Sequence, residues 1–175
     1  MTAIELAIQD GAGAQVACDI GADRVELCSG LALGGLTPSM GLIEHVVGAG
    51  IETHVLIRPR AGGFVYSDAE VALMETEITH ALSVGAAGVV VGVLDDAGWP
   101  HLGFLARLVE AAAGVEVTFH RAIDVARDPV VGATMLRETG VVRVLTSGGA
   151  PTATAGSATL ARMVAECRGK LQIQA

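Results

Sequence analysis

Glycine recurs along this chain at a period that only a few packed architectures can meet. Gly21, Gly50, Gly85, Gly114, Gly140 and Gly169 stand 26 to 35 residues apart, the size of one βα unit. Each closes a helix-like stretch and leads into a short apolar or β-branched run, as expected where a helix ends in a left-handed turn. With Ile4–Ile8 at the start, the runs Arg24–Cys28, Thr53–Arg58, Gly88–Leu94, Val115–His120, Val142–Thr146 and Leu171–Ala175 predict seven strands. Ser67–Val84, Pro100–Ala113, Pro129–Thr139 and Ser157–Arg168 read as amphipathic helices, with Val71, Met74, Ile78, Ala81 and Leu82 at helical spacing. Pro38, Pro100 and Pro129 fall where helices should begin. Strict alternation means parallel strands joined by crossovers, and its regularity favours an α/β, TIM-type (β/α)8 barrel over a doubly wound sheet. Gly11–Ala17 (GAGAQVA) only faintly echoes a dinucleotide-binding loop. Seven strands are one short of closure, so the expectation is a single barrel domain over residues 1–175, truncated or disordered after its seventh strand.

The formal charge of −8 argues against nucleic acid, whose phosphates select clustered Lys and Arg. Half of the residues are apolar, yet no unbroken apolar stretch approaches the roughly 20 residues of a membrane span. The opening MTAIELAIQD carries Glu5 and no basic flank, unlike a secretory signal, so a cytoplasmic location is expected. Cys18, Cys28 and Cys167 have no metal-ligand spacing. Cys18 and Cys167, within helices, read as core thiols.

Side chains alternate across a strand. Glu26 and Cys28 share the face opposite Val25 and Leu27; His54, Leu56 and Arg58 share one, as do Glu116, Thr118 and His120. Glu5, and later Gln172 and Gln174, oppose apolar neighbours in the same way. The apolar faces must meet the helices, so the polar ones point into the barrel. There Glu5, Glu26, Arg58 and His120 are expected to neutralise one another. Active sites of this fold gather at the C-terminal strand ends. That rim holds Cys28, Arg58, His120 and Arg121, with Arg60, Asp95 and Asp124 on its loops.

These residues sit in a run of words: GADRVELCSG (21–30), GGLTPS (34–39), IRPR (57–60), YSD (66–68), GVLD (92–95), TFHRAID (118–124) and RVLTSG (143–148). In content and order they resemble the CutC copper-homeostasis family. The resemblance covers nearly the whole chain and implies a cytoplasmic barrel, a link to copper, and further sequence after LQIQA. It also implies copper(I) binding, for which Cys28 is the one thiol at the rim, with His120 or Met40 as a second soft or imidazole ligand. The chain departs from the family pattern at Ala7 and Ile8, where cysteines are common, in Arg60-Ala61-Gly62-Gly63-Phe64, where the family's acidic residue is missing, and at Ala97 and His101, where aspartates are common.

A second reading is an enzyme acting on a small anionic metabolite by acid–base chemistry. Glu26, His120 and Asp124 are its catalytic candidates. Glu5, Arg58, Arg60 and Arg121 are its ligand-binding candidates, and the Thr146-Ser147-Gly148-Gly149 turn offers hydroxyls and amides as an anion cradle. Lys170, the sole lysine, precedes the last strand, which argues against any lysine-linked cofactor. No HxH pair or carboxylate cluster points to a two-metal site; a single divalent ion would fall to Glu26, His120 and Asp95. His45, His80 and His101 read as solvated helix residues, Tyr66 and Trp99 as rim or packing residues, and Asp68 as a helix-start charge. The unmatched strand edges leave a third reading, a scaffold acting as a homo-oligomer.

Overall fold

A computed structural model describes residues 3–175. Seven strands, β1 (Glu5–Ile8), β2 (Arg24–Leu27), β3 (Thr53–Leu56), β4 (Gly88–Val91), β5 (Glu116–Phe119), β6 (Arg143–Leu145) and β7 (Gln172–Gln174), form one sheet. Every neighbouring pair is parallel and the strands lie in chain order. Between them run α1 (Gly11–Asp19), α2 (Met40–Gly48), α3 (Asp68–Ser83), α4 (Leu102–Ala111), α5 (Pro129–Met135) and α6 (Ser157–Cys167). This is the TIM-type barrel architecture without its eighth strand. The sheet curls far enough that Gln174 of β7 donates to Glu5 of β1 and accepts from Arg24 of β2 at 3.3 Å.

Local chemistry explains the boundaries. The six periodic glycines all take positive φ, from 68° to 97°. Asp10, Ser39, Ser67 and Asp128 cap α1, α2, α3 and α5 through side-chain acceptors, and Ser67 with Glu70 forms a reciprocal capping box. Pro129 is the first residue of α5, whereas Pro38 and Pro100 stand just outside the caps of their helices. Strands end up to three residues before the apolar runs do: Arg58 pairs with Thr37 of the loop after β2, while His120 and Thr146 each make one last amide bond, to Val91 and Gln174, before entering rim loops.

The main core lies between sheet and helices. Val25, Leu27, Val55, Ile57, Val89, Val91, Val117 and Phe119 face Ile43, Val46, Met74, Ile78, Leu105, Leu108 and Met163. The inner face holds a separate small cluster of Cys28, Leu56 and Val90. Cys167 is buried as expected, but Cys18 is exposed. α1 turns Ala14 and Ala17 inward, and one further residue carries Cys18 about 100° round the helix and out of the interface. Among the described residues no helix is long and apolar enough to cross a membrane.

The inner face of β4 is carved to receive its neighbours. A Cβ on Gly88 would stand 2.6 Å from Cε1 of His54, and one on Gly92, just past the strand, 2.2 Å from Cε1 of His120. Neither glycine has positive φ, so the constraint is space and not backbone conformation. His54 is 1% exposed and cannot swing aside. Gly88→Ala should therefore destabilise the fold by about 1–3 kcal/mol. Gly41→Ala, in α2 where an added Cβ meets nothing within 4 Å, should stabilise by about 0.5–1 kcal/mol. Urea denaturation of both variants checks the contrast.

Candidate functional site

The barrel interior divides into two ends. At the N-terminal strand ends Glu5 pairs with Arg24, and Arg143 donates to Glu116 (2.8 Å), Thr118 (3.0 Å) and Gln172 (3.1 Å). His54 lies among them with neither ring nitrogen hydrogen-bonded, Nε2 being 3.3 Å from Glu52. Burial first, then the Arg24 and Arg143 charges, hold its pKa down. Glu5 is thus neutralised by Arg24, not by the groups expected from sequence. Arg24 and Arg143 were legible in principle, since each lies two residues before another inward side chain.

At the C-terminal end Glu26, Leu56, Arg58, Phe64, His120 and Arg121, with Gly34 and Leu145, line a half-open cavity of about 80 Å³. Alternation along β2, β3, β5 and β6 delivers most of this wall. Phe64 arrives from the loop after β3, and no periodicity announces it.

Three residues of this wall carry a buried polar atom with no hydrogen-bond partner among the described residues: Glu26 at Oε2, Arg58 at Nε and His120 at Nε2. Burial, with help from the Glu5 charge, pushes the Glu26 carboxyl up to about 7. His120 is driven the other way, to about 3, by burial and the Arg58 charge, and stays neutral. Its Nδ1 accepts from the Ala122 amide at 3.1 Å, so the ring proton sits on Nε2 and the ring offers a donor to the cavity.

Arg58 is largely engaged. Its terminal nitrogens donate to the carbonyls of Leu33 (3.0 Å), Gly35 (2.8 Å) and Gly62 (2.9 Å), tying the loops after β2 and β3 together. Its guanidinium also lies 5.1 Å from the Phe64 ring centroid. Nε–H and one Nη2 hydrogen are left without a partner among the described residues. Arg60 is turned away: it pairs with Glu70, donates to Gly63 and Val65, and covers the Tyr66 ring.

The Thr146–Gly149 turn does cradle an anion, and the anion is Asp124. Its carboxylate accepts from Thr146 Oγ1 (2.5 Å), the amides of Ser147 (3.1 Å) and Gly149 (3.0 Å), and Arg121 Nε (2.8 Å). Burial alone would raise the Asp124 pKa, but these hydrogen bonds outweigh it and hold the group ionised. The Gly148 amide donates to Thr146 Oγ1 (2.9 Å), and Arg121 also donates to Ser147 Oγ (2.8 Å). Asp95 likewise caps its own turn through the amides of Ala97 and Trp99. Lys170 sits beyond the opposite end, by a groove at the starts of β6 and β7, and pairs with Glu138.

A copper(I) centre asks for a thiolate and an imidazole lone pair. Cys28 Sγ donates to the Ile8 carbonyl at 3.4 Å, and burial with the nearby Glu26 charge pushes its thiol up to about 11. The free nitrogen of His120 carries a proton. Met40 opens α2 and is 40% exposed. No group of three His, Cys, Asp or Glu suited to a metal occurs among the described residues. This donor set does not fit the ion.

The CutC family model matches residues 2–175. A CutC family protein of Histophilus somni is 43% identical over 173 residues, covering 98% of this chain and 71% of the relative. One from Xylella fastidiosa is 43% identical over 171 residues, covering 97% and 64%. The crystal structure of CutC from Streptococcus agalactiae, described as a candidate copper homeostasis protein, superposes with a TM-score of 0.87 at 28% identity, covering 99% of this chain and 86% of that one. The chain therefore spans about two thirds of the length of its sequence relatives. Matched in sequence from residue 2 onward and in the course of all seven strands, it belongs to the CutC family.

Proposed function

We propose that this barrel binds a small oxygen-bearing molecule in the cavity between β2, β3 and β5 and moves a proton on it through Glu26. One observation carries the reading: Glu26, Arg58 and His120, each with a buried polar atom that no described residue partners, line the same half-open cleft. Leaving a buried polar group unsatisfied costs about 1–3 kcal/mol each, so three at one point mark a surface complementary to something else. A carboxyl held at about 7 is half ionised near neutrality, where a general acid or base works best. Neutral His120 and cationic Arg58 supply donors. Asp124, Thr146, Ser147 and Gly148 act as the rigid floor that orients Arg121, and Glu5 serves the structural belt below.

A copper role, carried by the description of the Streptococcus agalactiae relative, is the second reading. What favours it is Cys28 on the inner wall, 1% exposed and next to Glu26. The protonated thiol and the His120 tautomer weigh against a direct thiolate complex, and any copper link then runs through the small ligand. A reducing, cytoplasmic setting is supported by three free cysteines, two of them buried.

The proton-transfer reading makes thermodynamic demands. The folded state raises Glu26 from 4.5 to about 7, so it binds more protons than the unfolded chain between those values. Stability from this group is full below pH 4.5 and falls as pH rises to 7, by about 3 kcal/mol. His120, lowered from 6.5 to about 3, contributes in the opposite sense: its stability is present above pH 6.5 and is lost as pH falls toward 3. The two slopes oppose each other between pH 4.5 and 6.5. Glu26→Gln removes one of them, so the variant should gain on the wild type by about 3 kcal/mol from pH 4.5 to 7, measured by denaturation across that range. In ¹³C-glutamate-labelled protein the Glu26 carboxyl signal should titrate near 7; titration near 4.5 would end the proton-transfer reading. For copper, competition against a Cu(I) chelator should give the same affinity for wild type and Cys28→Ser. A loss specific to that variant would restore the thiolate site.

A further inference from the structure

Resting on the small-ligand reading above, we infer that the cavity takes a two- or three-carbon carbonyl compound and enolises it, with Glu26 as the base and the Nε2–H of His120 and Nε–H of Arg58 as donors to the carbonyl oxygen. The argument starts from the inventory of free groups. Two of the three unpartnered atoms are N–H donors that cannot accept: an arginine nitrogen, and a histidine nitrogen whose partner nitrogen is already an acceptor. The third belongs to a carboxyl. Their complement is an acceptor oxygen beside a removable hydrogen. Of the remaining wall, Leu56, Phe64 and Leu145 are apolar and Arg121 stands at the mouth; the apolar side lowers the local dielectric and strengthens both interactions.

Other ligand classes fit less well. A phosphate would set several charged oxygens against the Glu26 carboxyl, and Arg121, the other cation of the wall, is already engaged by Asp124 and Ser147. The turn donors that would serve it are held by Asp124. An ammonium group would meet the Arg58 charge. Size suits a compound of two or three carbons: the cleft holds about 80 Å³, several times the roughly 10–15 Å³ that one water needs on the same measure.

The step balances without a co-reactant. The Glu26 carboxylate takes the proton from the carbon next to the carbonyl. The C–H pair becomes the carbon–carbon double bond, and the carbonyl π pair moves onto oxygen. His120 and Arg58 stabilise the resulting enolate. Glu26 then returns the proton to the same carbon or, in a hydroxycarbonyl compound, to its neighbour. A neutral imidazole beside a carboxylate base is an established arrangement for this chemistry.

The test uses glycolaldehyde and hydroxyacetone in D₂O with the full chain, following loss of the C–H signals by proton NMR and the methyl signals of Leu56 and Leu145 as a binding readout. Wild type should exchange the α-hydrogens faster than buffer alone. Glu26→Gln should slow exchange by at least 100-fold or to the buffer rate, while keeping the ligand-induced methyl shifts that show it folded and bound. Methyl shifts without exchange in the wild type would overturn enolisation and leave the small-ligand site standing. Exchange that survives Glu26→Gln would remove Glu26 as the base. Neither shifts nor exchange with either compound would overturn the carbonyl assignment altogether.

Discussion

A charge on the inside of a narrow barrel has no water to turn to, and each one must find a partner across the lumen or stay uncompensated. At the N-terminal strand ends that requirement is met. Glu5 and Arg24 pair, Gln174 bridges from the last strand, and Arg143 reaches Glu116, Thr118 and Gln172. Breaking either pair would leave a charge stranded, which costs more than the pair itself contributes. These contacts also link strands 150 and 169 residues apart in sequence, so the same interaction that neutralises the lumen helps to hold its curvature.

At the other end the requirement is not met by the protein. Glu26, Arg58 and His120 are more buried than Glu5, Arg24 and Glu116 of the belt, yet each keeps a buried polar atom without a partner among the described residues. His54 of the belt also has both ring nitrogens without a partner among the described residues, so unpartnered atoms alone do not separate the two ends. What separates them is the cleft that Glu26, Arg58 and His120 line at the C-terminal end, which is where (β/α) barrels carry their chemistry.

Much of this was readable before the coordinates. The glycine period gave the βα repeat, and alternation gave the inward face of β2, β3 and β5 because a period of two leaves no freedom once the opposite face is apolar. Partner choice was not readable. Whether Glu5 meets Arg24 or Arg58 depends on strand stagger and side-chain reach across the lumen, which no single strand encodes. Arg60 and Arg58 are two residues apart, yet one covers Tyr66 outside the cavity and the other stitches two loops. Cys18 failed for a simpler reason: on a short helix with an alanine-only contact stripe, one residue separates core from solvent.

Asp124 shows how a correct local reading can point to the wrong ligand. The TSGG turn has the amides and hydroxyls of an anion site, and it binds a carboxylate, but one supplied from the β5–α5 connection. An intramolecular anion is always present at high effective concentration, so the turn is a permanently closed joint between β5 and β6. That joint positions Arg121 at the cavity mouth. It also leaves Glu26 as the carboxyl in the cavity wall whose acidity responds to what enters. A cationic ligand would lower its pKa and an apolar one would not, whereas an oxygen acceptor would engage His120 and Arg58 first and leave the carboxylate free to take a proton. The opposed shifts of Glu26 and His120 share their leading cause, burial acting on groups of opposite charge type, with the Glu5 and Arg58 charges adding to each in turn. That cause disfavours a metal–thiolate pair in the same wall as strongly as it favours proton transfer.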